Sequence, residues 1–198
     1  VGADAFNADA VAAVLAAKGR GRQMPPPVLI PDARTVDGLG YDVPAAARAL
    51  MEACWPGALT VIVQAQPSLA WDLGETHGTV ALRMPAHPVM RAVLGRTSLP
   101  LAAPSANRSG SISPTRAEHV LASLNGKVRM VLDEGPTSEG LESTIAAPEA
   151  TKIRLLRPGP ITETMLAEAT GLPVAAGKGD VAIEAPGQLE SHYAPPKP

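Results

Sequence analysis

The sequence predicts an α/β fold, on three observations. Short apolar or β-branched runs of strand length alternate with stretches whose apolar residues recur at helical spacing. The 21 prolines and 18 glycines among 198 residues imply short elements joined by tight turns. With 45% hydrophobic residues the chain can bury one core, expected over residues 1–174, with 175–198 as a linker or tail.

In chain order, Asn7 can cap a helix carrying Val11, Val14 and Leu15, which Gly19 can close. Lys18-Gly19-Arg20-Gly21-Arg22 then sets three cations just past the helix end. They either complement the helix dipole or supply charge for a phosphate site. Pro25 to Pro27 lead into a strand, Val28 to Ile30. Pro44 to Cys54 reads as a helix with Ala47, Leu50, Met51 and Cys54 on one stripe, so Cys54 reads as a packed thiol. Trp55-Pro56-Gly57 turns into a strand, Ala58 to Val63, and Gln64 to Thr76 is a loop. The strand Thr79 to Pro85 carries Arg83 near its end, either as an edge device or aimed into a cavity. His87 opens a short helix to Leu94, as a surface or capping residue.

A strand at Leu99 to Ala103 runs into a polar loop containing Ser105, Asn107, Arg108, Ser109, Gly110, Ser111 and Ser113. Ser113 suits an N-cap and Pro114 the first helical position of a helix through Leu124. Such a loop is either an ordinary polar connection or an anion cradle of free N–H groups at a helix N-terminus. Further strands are expected at Val128 to Leu132, entering Ile145 from Gly140, and at Lys152 to Leu156. The turn Arg157-Pro158-Gly159-Pro160 precedes a helix, Ile161 to Ala169, closed by Gly171.

Composition narrows the function classes. A net charge of −2 provides no global basic field, so any anion site must be a local cluster. Aromatics at 3% offer no base-stacking platform for single-stranded nucleic acid. The lone Cys54 permits no internal disulfide, no apolar run is long enough for a bilayer, and no charged-then-apolar run opens the stretch. A cytoplasmic protein without membrane contact is therefore expected. No Ser-His-Asp set, catalytic carboxylate pair or metal-ligand spacing is evident, and His77, His87, His119 and His192 are scattered.

Six motifs stand in a fixed order: K-x-R at Lys18–Arg20, T-V-A-x-R at Thr79–Arg83, S-x-N-x-S-G-x-x-S-P-T at Ser105–Thr115, E-S-T-I at Glu142–Ile145, R-P-G at Arg157–Gly159, and H-Y-A-P at His192–Pro195. In them the chain resembles the YrdC-type threonylcarbamoyl-AMP synthases from Val1 to Pro195. The resemblance implies a twisted mixed sheet flanked by helices, with a concave basic pocket. It implies a nucleotidyltransferase joining L-threonine, bicarbonate and ATP for modification of the adenosine next to the tRNA anticodon. By the same resemblance Lys18, Arg20, Thr79, Ser105, Asn107, Ser113, Arg157, His192 and Tyr193 bind ATP. Arg83, Ser143 and the backbone of Ala103 hold threonine, and Mg²⁺ arrives with ATP. The implied partners are downstream tRNA-modification proteins and a contact with tRNA or double-stranded RNA.

Two other readings share these residues: the adenylating domain of a carbamoyltransferase, and a non-catalytic RNA-binding module. The chain departs from the family pattern in three places. It begins at what resembles the tail of a P-T-E-T-V-Y-G-L element, without the first strand and its threonine-contacting Thr. Met24-Pro25-Pro26 and Leu29 stand where the family carries Asn-Pro-Leu and His. The stretch ends just past the linker of the longer, two-domain form.

Overall fold

The computed structural model describes residues 1–176, so His192, Tyr193 and the linker expectation from residue 177 onward lie outside the described residues. The chain opens with β1 (Ala3–Asp4) and α1 (Ala8–Lys18). The Asn7 side chain accepts the Ala10 N–H at 3.0 Å, and Gly19 ends the helix at φ 62°. Both play the parts their chemistry favours, a short side-chain acceptor at the start and a residue without Cβ at the left-handed stop. There follow β2 (Val28–Leu29), α2 (Thr35–Leu39), β3 (Gly40–Tyr41), α3 (Ala45–Cys54), β4 (Leu59–Ala65) and β5 (Thr79–Arg83). The second half holds α4 (Pro88–Thr97), β6 (Leu101–Ala102), α5 (Ala117–Leu124), β7 (Thr144–Pro148), β8 (Ile153–Arg157), α6 (Glu163–Thr170) and β9 (Val174–Ala176).

The short elements β1, α2, β3 and β9 have no counterpart in the sequence reading, and β9 runs two residues into the stretch read as linker. Two expectations are corrected. Residues 128–132 form no strand, and Met130 and Leu132 are 74% and 60% exposed. A β-favouring run becomes a strand only where a ladder and a half-buried face receive it, and this one finds neither. The helix after the polar loop begins at Ala117 with Arg116 at its cap position, so Ser113 is not the N-cap. The Ser113 hydroxyl donates instead to Glu142 at 2.5 Å, a charged acceptor that outcompetes a backbone capping bond.

The nine strands form one mixed sheet in the order β1-β6-β2-β5-β4-β7-β8-β9, with β3 on the end of β4. Pairs β2–β5, β4–β7 and β8–β9 are parallel and the others antiparallel. One face of the sheet presents Val28, Leu59, Val61, Val80, Leu82 and Ile153 to Leu15, Leu50, Met51 and Leu166 of the helices. Each of these large side chains contributes roughly 1.5–3 kcal/mol by leaving water. Cys54 packs against this core and burial pushes its thiol pKa up, as suits a packing thiol rather than a nucleophile.

Strand alternation sends the intervening residues to the opposite face. Along one rung of the ladders lie Leu101 beside Leu29, Leu29 beside Arg83, Thr60 beside Ile145 and Ile145 beside Arg157. Val61 pairs with Leu82, so the next rung sets Thr60 next to Arg83. A single row thus crosses six strands from an apolar end at Leu101 to a cationic end at Arg157. Arg83 and Arg157 lie three strand spacings apart, about 14 Å.

Candidate functional site

This row is part of the lining of a cleft of about 970 Å³. The last turn of α1 and the loop 103–115 form one side, α4 contributes Val89, Met90 and Val93, and residues 127–143 form a rim. Lys18, Arg20, Arg83, Ala103, Ser105, Asn107, Ser113, Ser143 and Arg157 all line it, so nine predicted residues from distant segments meet in one hollow. Thr79 is not among the lining residues. It sits at the other end of β5, where its hydroxyl donates to the Thr76 carbonyl at 2.8 Å and closes a turn. Eight Lys and Arg side chains line the cleft against three carboxylates, so the local charge is positive although the whole chain is not.

Gly19 places the two cations of K-x-R. The Gly19 N–H donates to Ala16 and the Arg20 N–H to Leu15, a Schellman turn that reverses the chain at the helix end. Lys18, 3% exposed, then enters the polar loop. Its Nζ donates to the Ser105 carbonyl at 2.5 Å and the Asn107 carbonyl at 2.6 Å, with Asn107 Oδ1 at 3.3 Å and Ser105 Oγ at 3.5 Å. Three ammonium protons face four oxygens, which leaves Lys18 as the clamp of this loop. Asn107, also buried, donates from Nδ2 to the carbonyls of Ser111 and Ile112 at 2.7 and 3.2 Å. The two residues shape the loop with the polar atoms the resemblance gives to ATP. Burial, with Arg20 adding to it, lowers the Lys18 pKa to about 8.

Arg20 donates to the Pro25 carbonyl at 3.1 Å, while its Nε is buried without a hydrogen-bond partner. Burial lowers its pKa to about 10, with Glu142 opposing and Arg157 reinforcing the shift, so it stays cationic at neutral pH. Arg157, at the end of β8, donates from Nε and Nη2 to the Ser143 carbonyl at 3.0 and 2.8 Å, from Nη2 to Ser143 Oγ at 3.1 Å, and from Nη1 to the Glu142 carboxylate. The R-P-G turn brings Gly159 so close that a Cβ there would stand 2.5 Å from the Thr144 nitrogen and 2.6 Å from the Glu142 carbonyl oxygen. Only glycine permits this approach.

Towards the apolar end, the Arg83 Nε donates to the Gly57 carbonyl at 2.9 Å, and burial, then Arg157, lowers its pKa. Ser143 Oγ and Thr60 Oγ1 lie 2.8 Å apart, both buried, on the Arg157 side of Arg83. Leu29 and Leu101 lie on the other side. The Ala103 N–H is engaged with the Pro27 carbonyl at 2.9 Å. The arrangement suits a polar ligand with an anionic group at each end: one held by Arg83, the other by Arg20, Arg157 and the loop. Met24 does not line the cleft, and Leu29 does.

Sequence reading missed Thr60 and Glu142. Thr60 reads as a β-branched strand residue, but period-2 alternation opposite Leu59 and Val61 places it on the cleft face. Glu142 stands in the E-S-T-I motif without an assigned role, and its place beside a strand entrance is the signal that could have found it. Among the described residues no group of three or more His, Cys, Asp or Glu side chains comes together. No helix of the described residues is long and apolar enough to cross a membrane.

Comparison with known proteins gives the cleft a context. Residues 1–159 match the Sua5/YciO/YrdC family model, described as telomere recombination. A Mycobacterium tuberculosis protein provisionally named threonylcarbamoyl-AMP synthase is 47% identical over 176 residues, 89% of this chain and 81% of that protein. The Bacillus subtilis protein named threonylcarbamoyl-AMP synthase is 42% identical over the whole chain, which spans 58% of its length. The crystal structure of Pyrococcus abyssi Sua5 complexed with L-threonine superposes with a TM-score of 0.88 at 35% identity, covering 98% of this chain and 58% of that one. HypF, at 18% identity and a TM-score of 0.69, shares the fold alone.

Proposed function

The chain belongs to the Sua5/YciO/YrdC family, and from that premise we propose that it forms threonylcarbamoyl-AMP and pyrophosphate from L-threonine, bicarbonate and ATP. The observation that carries this reading is the shared cleft, into which Arg83, Arg20 and Arg157 all converge, with Arg83 and Arg157 on strands about 14 Å apart at the backbone. A cleft of about 970 Å³ with cations on separate strands has room for an amino acid beside a nucleotide's phosphates.

In this reading Arg83 holds the threonine carboxylate through the planar fork that suits it. The threonine amine and bicarbonate combine to a carbamate with loss of water. A carbamate oxygen attacks the α-phosphorus, the bond to the bridging oxygen breaks, and pyrophosphate leaves. The substrates supply the nucleophile, so the chain's part is to align them and to stabilise charge. Alignment can lower a barrier by roughly 7–11 kcal/mol, and each fixed donor at developing charge by about 3–4 kcal/mol. The Arg20 Nε–H, buried and without a hydrogen-bond partner, is a donor whose desolvation cost a phosphate oxygen would offset if the side chain turned toward it. Mg²⁺ arriving with ATP would be held mainly by phosphate oxygens and water and would neutralise phosphate charge. The product would feed cytoplasmic tRNA-modification proteins, with tRNA itself as a further contact.

The test is pyrophosphate release from ATP. Release that needs both L-threonine and bicarbonate supports the synthase. Release dependent on carbamoyl phosphate instead would assign the carbamoyltransferase chemistry, and RNA binding without release the binding module. In the same assay Arg83→Ala should raise KM for threonine at least tenfold more than KM for ATP, the order of one charge-assisted pair. Equal losses would remove Arg83 from its role.

A further inference from the structure

Glu142 sets a carboxylate among the cations of the cleft, and the chemistry above uses none. Its side chain is 11% exposed, accepts the Ser113 hydroxyl proton at 2.5 Å and receives Arg157 Nη1. Its field also reaches Lys18 and Arg20, whose charged forms it favours. Ser113 and Arg157 are two of the residues assigned to ATP in the proposed reading. A hydroxyl has one proton to donate, so Ser113 cannot serve Glu142 and a phosphate oxygen at once. A carboxylate presents anionic oxygens to these donors much as a phosphate does, and two anions at one guanidinium edge repel.

We infer that Glu142 is a built-in counter-anion: it occupies the phosphate donors Ser113 and Arg157 while the cleft is empty, and polyphosphate displaces it. This rests on the nucleotide reading of the cleft. Glu142 then keeps the donors of two walls, the polar loop and β8, oriented in the absence of ligand. It also limits how tightly the cleft retains a polyanion, which matters most for departure of pyrophosphate after the α-phosphorus has been attacked. The role differs from that of a pure anchor in sign. An anchor's removal weakens anion binding; a competitor's removal strengthens it.

Calorimetric titration of the full chain with inorganic pyrophosphate, and separately with ATP, decides the matter, with Glu142→Gln beside the unaltered protein. Glutamine keeps the volume and removes the charge. The expected result is pyrophosphate binding about tenfold tighter in the variant, on the scale of one charge-assisted hydrogen bond. Its turnover should be slower and its KM for ATP lower. Equal or weaker binding overturns the inference and leaves Glu142 as an anchor of Arg157. If the unaltered protein binds neither probe, the nucleotide reading itself fails and this inference falls with it. Should the variant not fold, a crystal structure of the unaltered chain with ATP gives the same decision. A carboxylate withdrawn from Ser113 supports displacement, and one still bonded to both partners beneath bound phosphates refutes it.

Discussion

Lys18 places an ammonium, 3% exposed, at the centre of the loop that borders the cationic end of the cleft. Burial lowers its pKa to about 8, against 10.5 in an exposed chain. The sign matters for what pH does. Between those values the unfolded chain holds a proton that the folded one has released, so this group's contribution to stability rises with pH across the window. The loop behaves oppositely, because the neutral amine above pH 8 has one fewer donor and no charge. We therefore expect KM for ATP to rise several-fold from pH 7 to 9 while the melting midpoint loses nothing from this residue. Lys18→Met should bind ATP about 5–100-fold more weakly, since the Ser105 and Asn107 carbonyls lose their donor, and with no inflection near pH 8. An unchanged inflection in that variant would assign the titration elsewhere. At this scale the sequence made the cations legible and their tasks only in part. K-x-R and S-x-N name residue types, but which atoms face a ligand and which hold a loop follows from hydrogen-bond accounting that only the folded chain provides. Glu142 escaped because its motif marks a position but not the distant cations that surround its carboxylate.

The elements that carry the site are short, and their turns are held by close backbone approach. The R-P-G turn is one such case: a methyl on Gly159 would meet the backbone of Glu142 to Thr144 at 2.5–2.8 Å. Gly159→Ala should push the entrance of β7 away from β8 and disturb the Arg157–Ser143 and Ser143–Thr60 contacts together. Overpacking of this kind costs about 1–3 kcal/mol, a fall in melting midpoint of roughly 2–10 °C for a chain of this size. Affinities for ATP and threonine should fall in parallel. Gly95→Ala in α4, where an added methyl meets nothing within 4 Å, is the control and should be neutral or slightly stabilising. A thermal scan in which both variants behave alike would show that the turn has slack. The caps at Asn7, Gly19 and Gly171 were legible because capping is local chemistry. The run 128–132 and the role of Ser113 were not, because a ladder partner and a rival acceptor 29 residues away decided them.

At the scale of the whole molecule, alternation told which face each strand residue takes but not which strands are neighbours. β6 lies between β1 and β2, and β7 lies beside β4, orders no local pattern encodes. The consequence is that the cleft floor exists only when six strands are in register, and the loop clamp joins residues 87 and 89 positions apart. No fragment of the sheet can carry the row from Leu101 to Arg157. A ligand that needs this row binds the complete fold and not the unfolded chain, so its binding free energy adds directly to global stability. At ATP one hundred times its dissociation constant the gain is about 2.7 kcal/mol, which should raise the melting midpoint by roughly 5–10 °C in a single transition. Differential scanning calorimetry with and without ATP measures this. A second, ligand-dependent transition below an unmoved main one would mean that the cleft opens independently of the sheet, and that the row of paired strands is not what holds its two ends in place.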